Sequence, residues 1–94
     1  MSLIIVVGTF SAGRIVIAPG ALSELSEDEA MSGLARHLAG DWGDLDEADW
    51  KKNDAALQLG GRLFSRYVTP GGTRFWIITE HDRSVTTILL PRDD

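Results

Sequence analysis

The sequence predicts one α+β domain over residues 1–94, with an N-terminal β-hairpin, two helices and then a three-stranded antiparallel meander. Three observations predict it. β-Branched residues crowd two short runs at the start, a capping signal with helically spaced apolar residues follows, and three strand-like runs parted by turn residues close the chain. With 94 residues, 44% of them apolar and 24% charged, the chain has material for one hydrophobic core and the composition of a folded protein.

The runs Leu3–Phe10 and Gly13–Ile17 flank the turn-like Ser11-Ala12-Gly13 and are expected to be the two hairpin strands. Pro19 and Gly20 stop the second, and Ala21–Leu25 predicts a short helical turn with Pro19 near its start. Ser26 with Glu29 three residues on is a capping box, Glu27 and Asp28 suit the positive end of the helix dipole, and Gly40 can end the helix. The first full helix is therefore expected over about 27–39. Ala30, Met31, Leu34, Ala35 and Leu38 form its apolar stripe.

Gly40-Asp41-Trp42-Gly43-Asp44-Leu45 reads as a shaped loop whose Trp42 plugs into the core. Asp46 caps a second helix, in which Glu47 and Asp49 precede Lys51 and Lys52 and which Gly60-Gly61 ends. Its buried side is expected to hold Trp50, Leu57 and one of the alanines. The meander follows as Arg62–Thr69, Thr73–Glu80 and Ser84–Leu90, joined by Pro70-Gly71-Gly72 and His81-Asp82-Arg83. In its central strand Phe75, Ile77 and Thr79 face one side while Trp76, Ile78 and Glu80 face the other, so both faces carry apolar residues.

Absence of cysteine removes disulfides, thiolate ligands and thiol nucleophiles. The apolar run Leu3–Val7 is too short for a signal peptide or a membrane span and has no basic residue before it, so a cytoplasmic protein is expected. A net charge of −5 argues against direct DNA binding, which draws on Lys and Arg. The acids are concentrated: residues 24–54 hold ten of them against Arg36, Lys51 and Lys52, a local balance of −7, while the remainder sums to +2.

Two stretches suggest chemistry. His81-Asp82-Arg83-Ser84 sets a proton-transfer group, a carboxylate, a cation and a hydroxyl in one turn, with Thr87 on the strand that follows. A metal-independent ribonuclease could use His81 as general base and Arg83 to stabilise a phosphorane. A helix followed by a meander is also analogous to the barnase-like and RelE-like ribonuclease folds. The plainer alternative is a polar hairpin tip in which Arg83 pairs with Asp82 or Glu80. The second stretch is Asp41, Asp44, Asp46, Glu47 and Asp49, which would present a negative field to a basic protein surface, such as that of a nucleic-acid-binding protein. Its spacing does not match a calcium loop, and His37 has no second histidine at helical spacing, so neither a metal site nor a cofactor is expected.

Gly40-Asp41-Trp42-Gly43-Asp44 and the run from Trp76 through Thr79-Glu80-His81-Asp82-Arg83-Ser84 to Leu90-Pro91 resemble a family of short bacterial, phage and plasmid proteins, often labelled plasmid-related. The likeness extends from about Arg14 to Pro91 and takes in Asn53 and Arg62-Leu63. Residues 1–13 look like an addition, and the closing Pro91-Arg92-Asp93-Asp94 lacks the aromatic that typically ends such chains. The resemblance transfers no catalytic residue. It implies residence on mobile elements, where small inhibitors, toxins and antitoxins are commoner than metabolic enzymes. The leading expectation is therefore a non-enzymatic acidic interaction module, of the anti-restriction or anti-CRISPR inhibitor type. The alternatives are the small ribonuclease and a structural homodimer formed through the apolar second face of the sheet.

Overall fold

The structure, a computed structural model, describes residues 9–94. Strand β1 (Arg14–Ile17) leads into a short helix α1 (Pro19–Glu24), α2 (Glu27–Leu38) and α3 (Glu47–Leu59). Strands β2 (Leu63–Val68), β3 (Arg74–Thr79) and β4 (Val85–Leu89) follow, and a 3-10 turn over Pro91–Asp93 closes the chain. The α+β class and the antiparallel pairing of the last three strands agree with the sequence reading. The sheet itself differs, being four-stranded and mixed in the order β1-β4-β3-β2.

The departure lies in β1, which pairs in parallel with β4, from Arg14 opposite Val85 to Ile17 opposite Ile88. The expected first strand, Leu3–Phe10, lies outside the described residues except for Thr9 and Phe10, which sit in a bend. A parallel pair needs a long crossover between its strands, and here all three helices and two strands supply it. Gly13 fixes the start of the pairing. Its φ of 63° lies where glycine alone is relaxed, and a Cβ there would run into the carbonyls of Arg83 and Ser84. Arg14 N–H then donates to the Ser84 carbonyl at 2.9 Å, and Ala18 N–H to that of Ile88 at 2.9 Å, framing the ladder.

Helix α2 forms as expected: Ser26 accepts from the Glu29 N–H while the Glu29 carboxylate accepts from the Ser26 N–H. Its buried stripe is Ala30, Gly33, Leu34, His37 and Leu38, whereas Met31 and Ala35 are exposed. Gly33 sets the closeness of the helix to the sheet, because a Cβ there would lie 2.6 Å from the Phe75 ring. α1 and α2 cover one sheet face with Ala21, Leu34, Phe75, Ile77 and Ile88 at the centre of the core.

Asp46 caps α3 by accepting from the Asp49 N–H, but this helix buries only Asn53, with Trp50 and Leu57 half-buried. Asn53 does what a neighbouring strand would do: its amide accepts from the Phe64 N–H at 3.2 Å and donates to the Phe64 carbonyl at 2.5 Å. At Arg66 the same edge is covered by the Trp42–Asp44 segment, whose Trp42 carbonyl accepts from the Arg66 N–H at 3.1 Å and whose Asp44 N–H donates to the Arg66 carbonyl at 2.7 Å. At the other end of the chain the Asp93 carboxylate accepts from the N–H groups of Leu90, Gly20 and Ala21 at 2.8–3.1 Å, which ties the C-terminal turn to α1 and holds that carboxyl below the usual range. Among the described residues no helix is long and apolar enough to cross a membrane.

Candidate functional site

Register decides which side chains share the sheet face turned away from α1 and α2. Residues facing the helices are Ile15 and Ile17, Thr86 and Ile88, Phe75, Ile77 and Thr79, and Leu63, Ser65 and Tyr67, because paired residues point the same way. The alternate positions make the second face. Its middle rungs align Val16, Thr87, Ile78 and Phe64, then Leu89, Trp76 and Arg66. Arg14 stands at one corner opposite Val85, and Arg74 at the other end opposite Val68. Phe64 and Trp76 are half-buried and meet edge to face at 5.2 Å. The Arg66 guanidinium lies 5.7 Å from the Phe64 ring centre.

Basic side chains divide sharply by location. Arg36 pairs with Asp41 at 2.8 Å, Lys51 with Glu47 at 3.1 Å, Lys52 with Asp49 at 4.0 Å, Arg62 with Glu80 at 3.6 Å and Arg92 with Glu24 at 3.3 Å. Arg83 is spent on backbone carbonyls. That leaves Arg14, Arg66 and Arg74, which among the described residues have no carboxylate within ion-pair distance and are exposed. All three project from the second sheet face. An acidic chain thus carries a face whose strand residues include arginines, aromatics and aliphatics and no carboxylate.

The residues proposed for catalysis do not converge. His81 is exposed at the β3–β4 tip, and Thr87 lies inside β4 on the second face, opposite Ile78. Arg83 takes a positive φ of 62° and turns toward the C-terminal end of α3, donating to the carbonyls of Gly61, of Glu80 at 3.2 Å and of Ala56 at 3.0 Å. The charge there neutralises the negative helix end, and the guanidinium is not free to meet a phosphate beside His81. Asp82 and Ser84 bond each other across the tip, which holds Asp82 below the ordinary carboxylate range. This is the arrangement of a polar hairpin tip, with Arg83 bound to carbonyls in place of the expected Asp82 or Glu80 side chains.

The acidic run fares differently from residue to residue. Asp41 holds Arg36 through two bonds and is pulled below its ordinary pKa chiefly by that contact. Arg36 in turn stacks 4.6 Å from the Tyr67 ring centre. Asp46 is a helix cap, and Glu47 and Asp49 lie in exposed pairs along α3. Asp44 alone of the five has neither an ion pair nor a side-chain hydrogen bond among the described residues, and its backbone N–H donates to the Arg66 carbonyl at 2.7 Å. Three of the five carboxylates are thus paired with a cation, one caps a helix and one stands exposed. Among the described residues no group of three His, Asp or Glu is placed to hold a metal ion.

His37, which has no second histidine at helical spacing in the sequence, is a strongly perturbed group. It is fully buried between the helix and the sheet, with Phe10 and Trp42 edge-on at 5.4 and 5.5 Å. Its Nδ1 meets Ser65 Oγ and its Nε2 meets Thr79 Oγ1 at 2.9 Å. Thr79 Oγ1 meets Thr86 Oγ1 at 2.7 Å, and the Thr86 hydroxyl donates to the Ala12 carbonyl at 2.7 Å. The carbonyl can only accept, so the proton order is settled from that end. Thr86 donates to Ala12, Thr79 to Thr86, and Nε2–H to Thr79, leaving Nδ1 to accept from Ser65. Burial, helped by the positive charge of Arg83, pushes the imidazole pKa down to about 4. The ring is a neutral core strut without solvent access.

The described residues also form concavities. An apolar groove of about 530 Å³ runs between β1, α1 and α2, lined by Ile15, Ile17, Leu22, Leu25 and Met31, with only Glu27 charged at its rim. A shallower cleft of about 250 Å³ lies between α2 and the β2–β3 turn, where Asp28, Glu29 and Arg36 surround Tyr67 and Phe75. Comparisons with family models, curated proteins and solved structures find no match for the chain. The likeness to plasmid-related proteins accordingly rests on the quoted motifs alone.

The signal for the arginine face was present in the sequence. Arg62, Phe64, Arg66 and Val68 share one parity, as do Arg74, Trp76 and Ile78. What the sequence lacked was the list of cations that find carboxylates.

Proposed function

We propose that the chain is a non-enzymatic interaction module whose docking surface is the sheet face bearing Arg14, Arg66 and Arg74. One observation carries the reading: among the described residues every other cation is engaged by a carboxylate or by backbone carbonyls, and the three that are not share one sheet face, Arg66 and Arg74 beside Phe64 and Trp76 and Arg14 at the far corner on β1. Arginine and aromatic side chains are the residue types that dominate binding energy at recognition surfaces. The engagement of Arg83 by the carbonyls at the end of α3, away from the exposed His81, weighs against the ribonuclease. A symmetric homodimer through this face is disfavoured because it would gather six arginines that have no carboxylate partner among the described residues, and Glu80 at the end of β3 already holds Arg62.

The expected acidic docking of a basic partner keeps one specific support, the exposed Asp44 beside the Asp46 cap. It stands as the second reading, for an inhibitor of the mobile-element kind. One experiment separates the two. Material co-purifying with the tagged chain is compared between the native sequence, Arg14→Glu/Arg66→Glu/Arg74→Glu, and Asp44→Lys/Glu47→Lys/Asp49→Lys. Loss in the first variant with retention in the second supports the sheet face, and the reverse result overturns it in favour of the acidic side.

A further inference from the structure

We infer that the ligand of this sheet face is single-stranded nucleic acid. The inference rests on the docking surface proposed above and adds the chemistry of what docks there.

A single strand presents two things at once, a line of phosphates and a series of bases whose flat faces are available for stacking. The second face offers both complements. Its floor is apolar and aromatic, with Phe64 and Trp76 on neighbouring strands, half-buried so that their bodies are fixed by the sheet. Around that floor Arg14, Arg66 and Arg74 are exposed at three separate places on the register grid, on β1, β2 and β3. Same-face residues along one strand are two apart, about 6.6 Å, so cations and rings alternate at a spacing that lets a phosphate and a base from one strand be met together.

Charge supports the same ligand. Among the described residues the strand positions of this face carry no carboxylate, Glu80 at the end of β3 pairs with Arg62 at 3.6 Å, and the acids lie on the helices and loops. A polyanion approaching the molecule is repelled by the helical side and attracted by the sheet side, which orients it onto the rings. A duplex fits less well. Its bases are stacked on one another and cannot use Phe64 and Trp76, and among the described residues the face carries no projecting helix or ribbon to enter a groove. An acidic peptide would satisfy the arginines and leave the aromatic floor without a matching partner. Three phosphate contacts also make the binding weak and salt-sensitive, with log K falling against log salt at a slope of about −2 for a single strand.

The test is a fluorescence-anisotropy titration of the intact chain into labelled oligouridine, oligothymidine of the same length, a matched duplex and heparin, at about 50 mM salt and upward. Saturable binding of the single strands in preference to the duplex is expected. Arg14→Gln/Arg66→Gln/Arg74→Gln should weaken it by tenfold or more and flatten the salt slope. Trp76→Leu keeps an apolar cover over the sheet and removes the π-face, and it should cost about tenfold with the slope unchanged, in line with the worth of one base stack. Circular dichroism confirms that each variant is folded. No saturable binding of either oligonucleotide overturns the inference, and so does equal binding of heparin, duplex and single strands with Trp76→Leu neutral. If the oligonucleotides fail while the triple arginine reversal still removes a co-purifying protein, the ligand class falls and the docking surface stands. If that reversal changes nothing, both fall.

Discussion

Protonation of His37 should unfold the protein from within. The imidazole accepts a hydroxyl hydrogen from Ser65 at Nδ1 and donates from Nε2 to Thr79, so a second proton would displace the Ser65 bond and place a charge in the core with no carboxylate beside it. Its folded pKa is about 4, against 6.5 for the unfolded ring. The unfolded chain therefore binds the proton first as pH falls, and stability present above pH 6.5 is lost progressively until the folded ring titrates near 4. Integrated over that interval, the loss is about 2 kcal/mol between pH 7 and 5 and about 3 kcal/mol by pH 4. Asp41, Asp82 and Asp93 have pKa values lowered from 3.8, so their contributions fade only under more acid conditions and leave the pH 7–5 window to the histidine. Urea denaturation followed by tryptophan fluorescence at pH 7, 6 and 5 measures the loss. His37→Gln can still donate to Thr79 and accept from Ser65 but does not titrate, so its stability should change little across the window. A wild type whose midpoint is flat from pH 7 to 5, or a glutamine variant with the same slope, would refute the assignment of a neutral buried ring.

Other substitutions test the packing that positions the sheet face. Gly33→Ala forces a methyl to within 2.6 Å of the Phe75 ring, and overpacking of this kind costs about 1–3 kcal/mol, read as a lower urea midpoint. Arg83→Ala strips the Gly61 carbonyl of its side-chain donor and leaves the Ala56 carbonyl with the Gly60 N–H alone, and a loss of about 1–3 kcal/mol is expected in denaturation, with faster amide exchange at the α3 terminus. Asn53→Leu leaves the Phe64 N–H and carbonyl unpaired at the β2 edge, and a similar loss of stability is expected in denaturation, with faster exchange of the Phe64 amide. Gly13→Val, by contrast, should prevent β1 from pairing, since both the φ of 63° and the nearby carbonyls exclude a branched side chain, and nuclear magnetic resonance would show loss of the Arg14 to Ser84 contact.

The two faces of the molecule divide its electrostatics in a way that net charge conceals. A chain at −5 is read from composition as a poor ligand for any polyanion. Yet five of its cations are matched to carboxylates and a sixth to carbonyls, so the surplus negative charge is that of the helices and loops while the second sheet face is locally positive. A partner meets a surface, at distances of about 10 Å or less under physiological screening, and the local balance governs what it encounters.

The amino-acid order alone determined whatever depends on neighbours a few residues apart. The α2 start was legible because Ser26 and Glu29 satisfy each other's backbone within one turn, and the β2–β3 hairpin because Pro70-Gly71-Gly72 cannot continue a strand. Alternation in β3 likewise announced two apolar faces, since successive side chains of a strand must point opposite ways. Tertiary structure decided everything that joins distant segments. Nothing local to Arg14–Ile17 names β4 as its parallel partner, nothing around His37 announces Ser65, Thr79 and Thr86, and nothing in His81-Asp82-Arg83 reveals that the arginine leaves the turn to close α3. Propensity and capping are short-range energies carried by the chain itself. The pairing of strands, the fate of each charge and the burial of a polar ring are settled only when the whole core excludes water and every buried donor must find an acceptor.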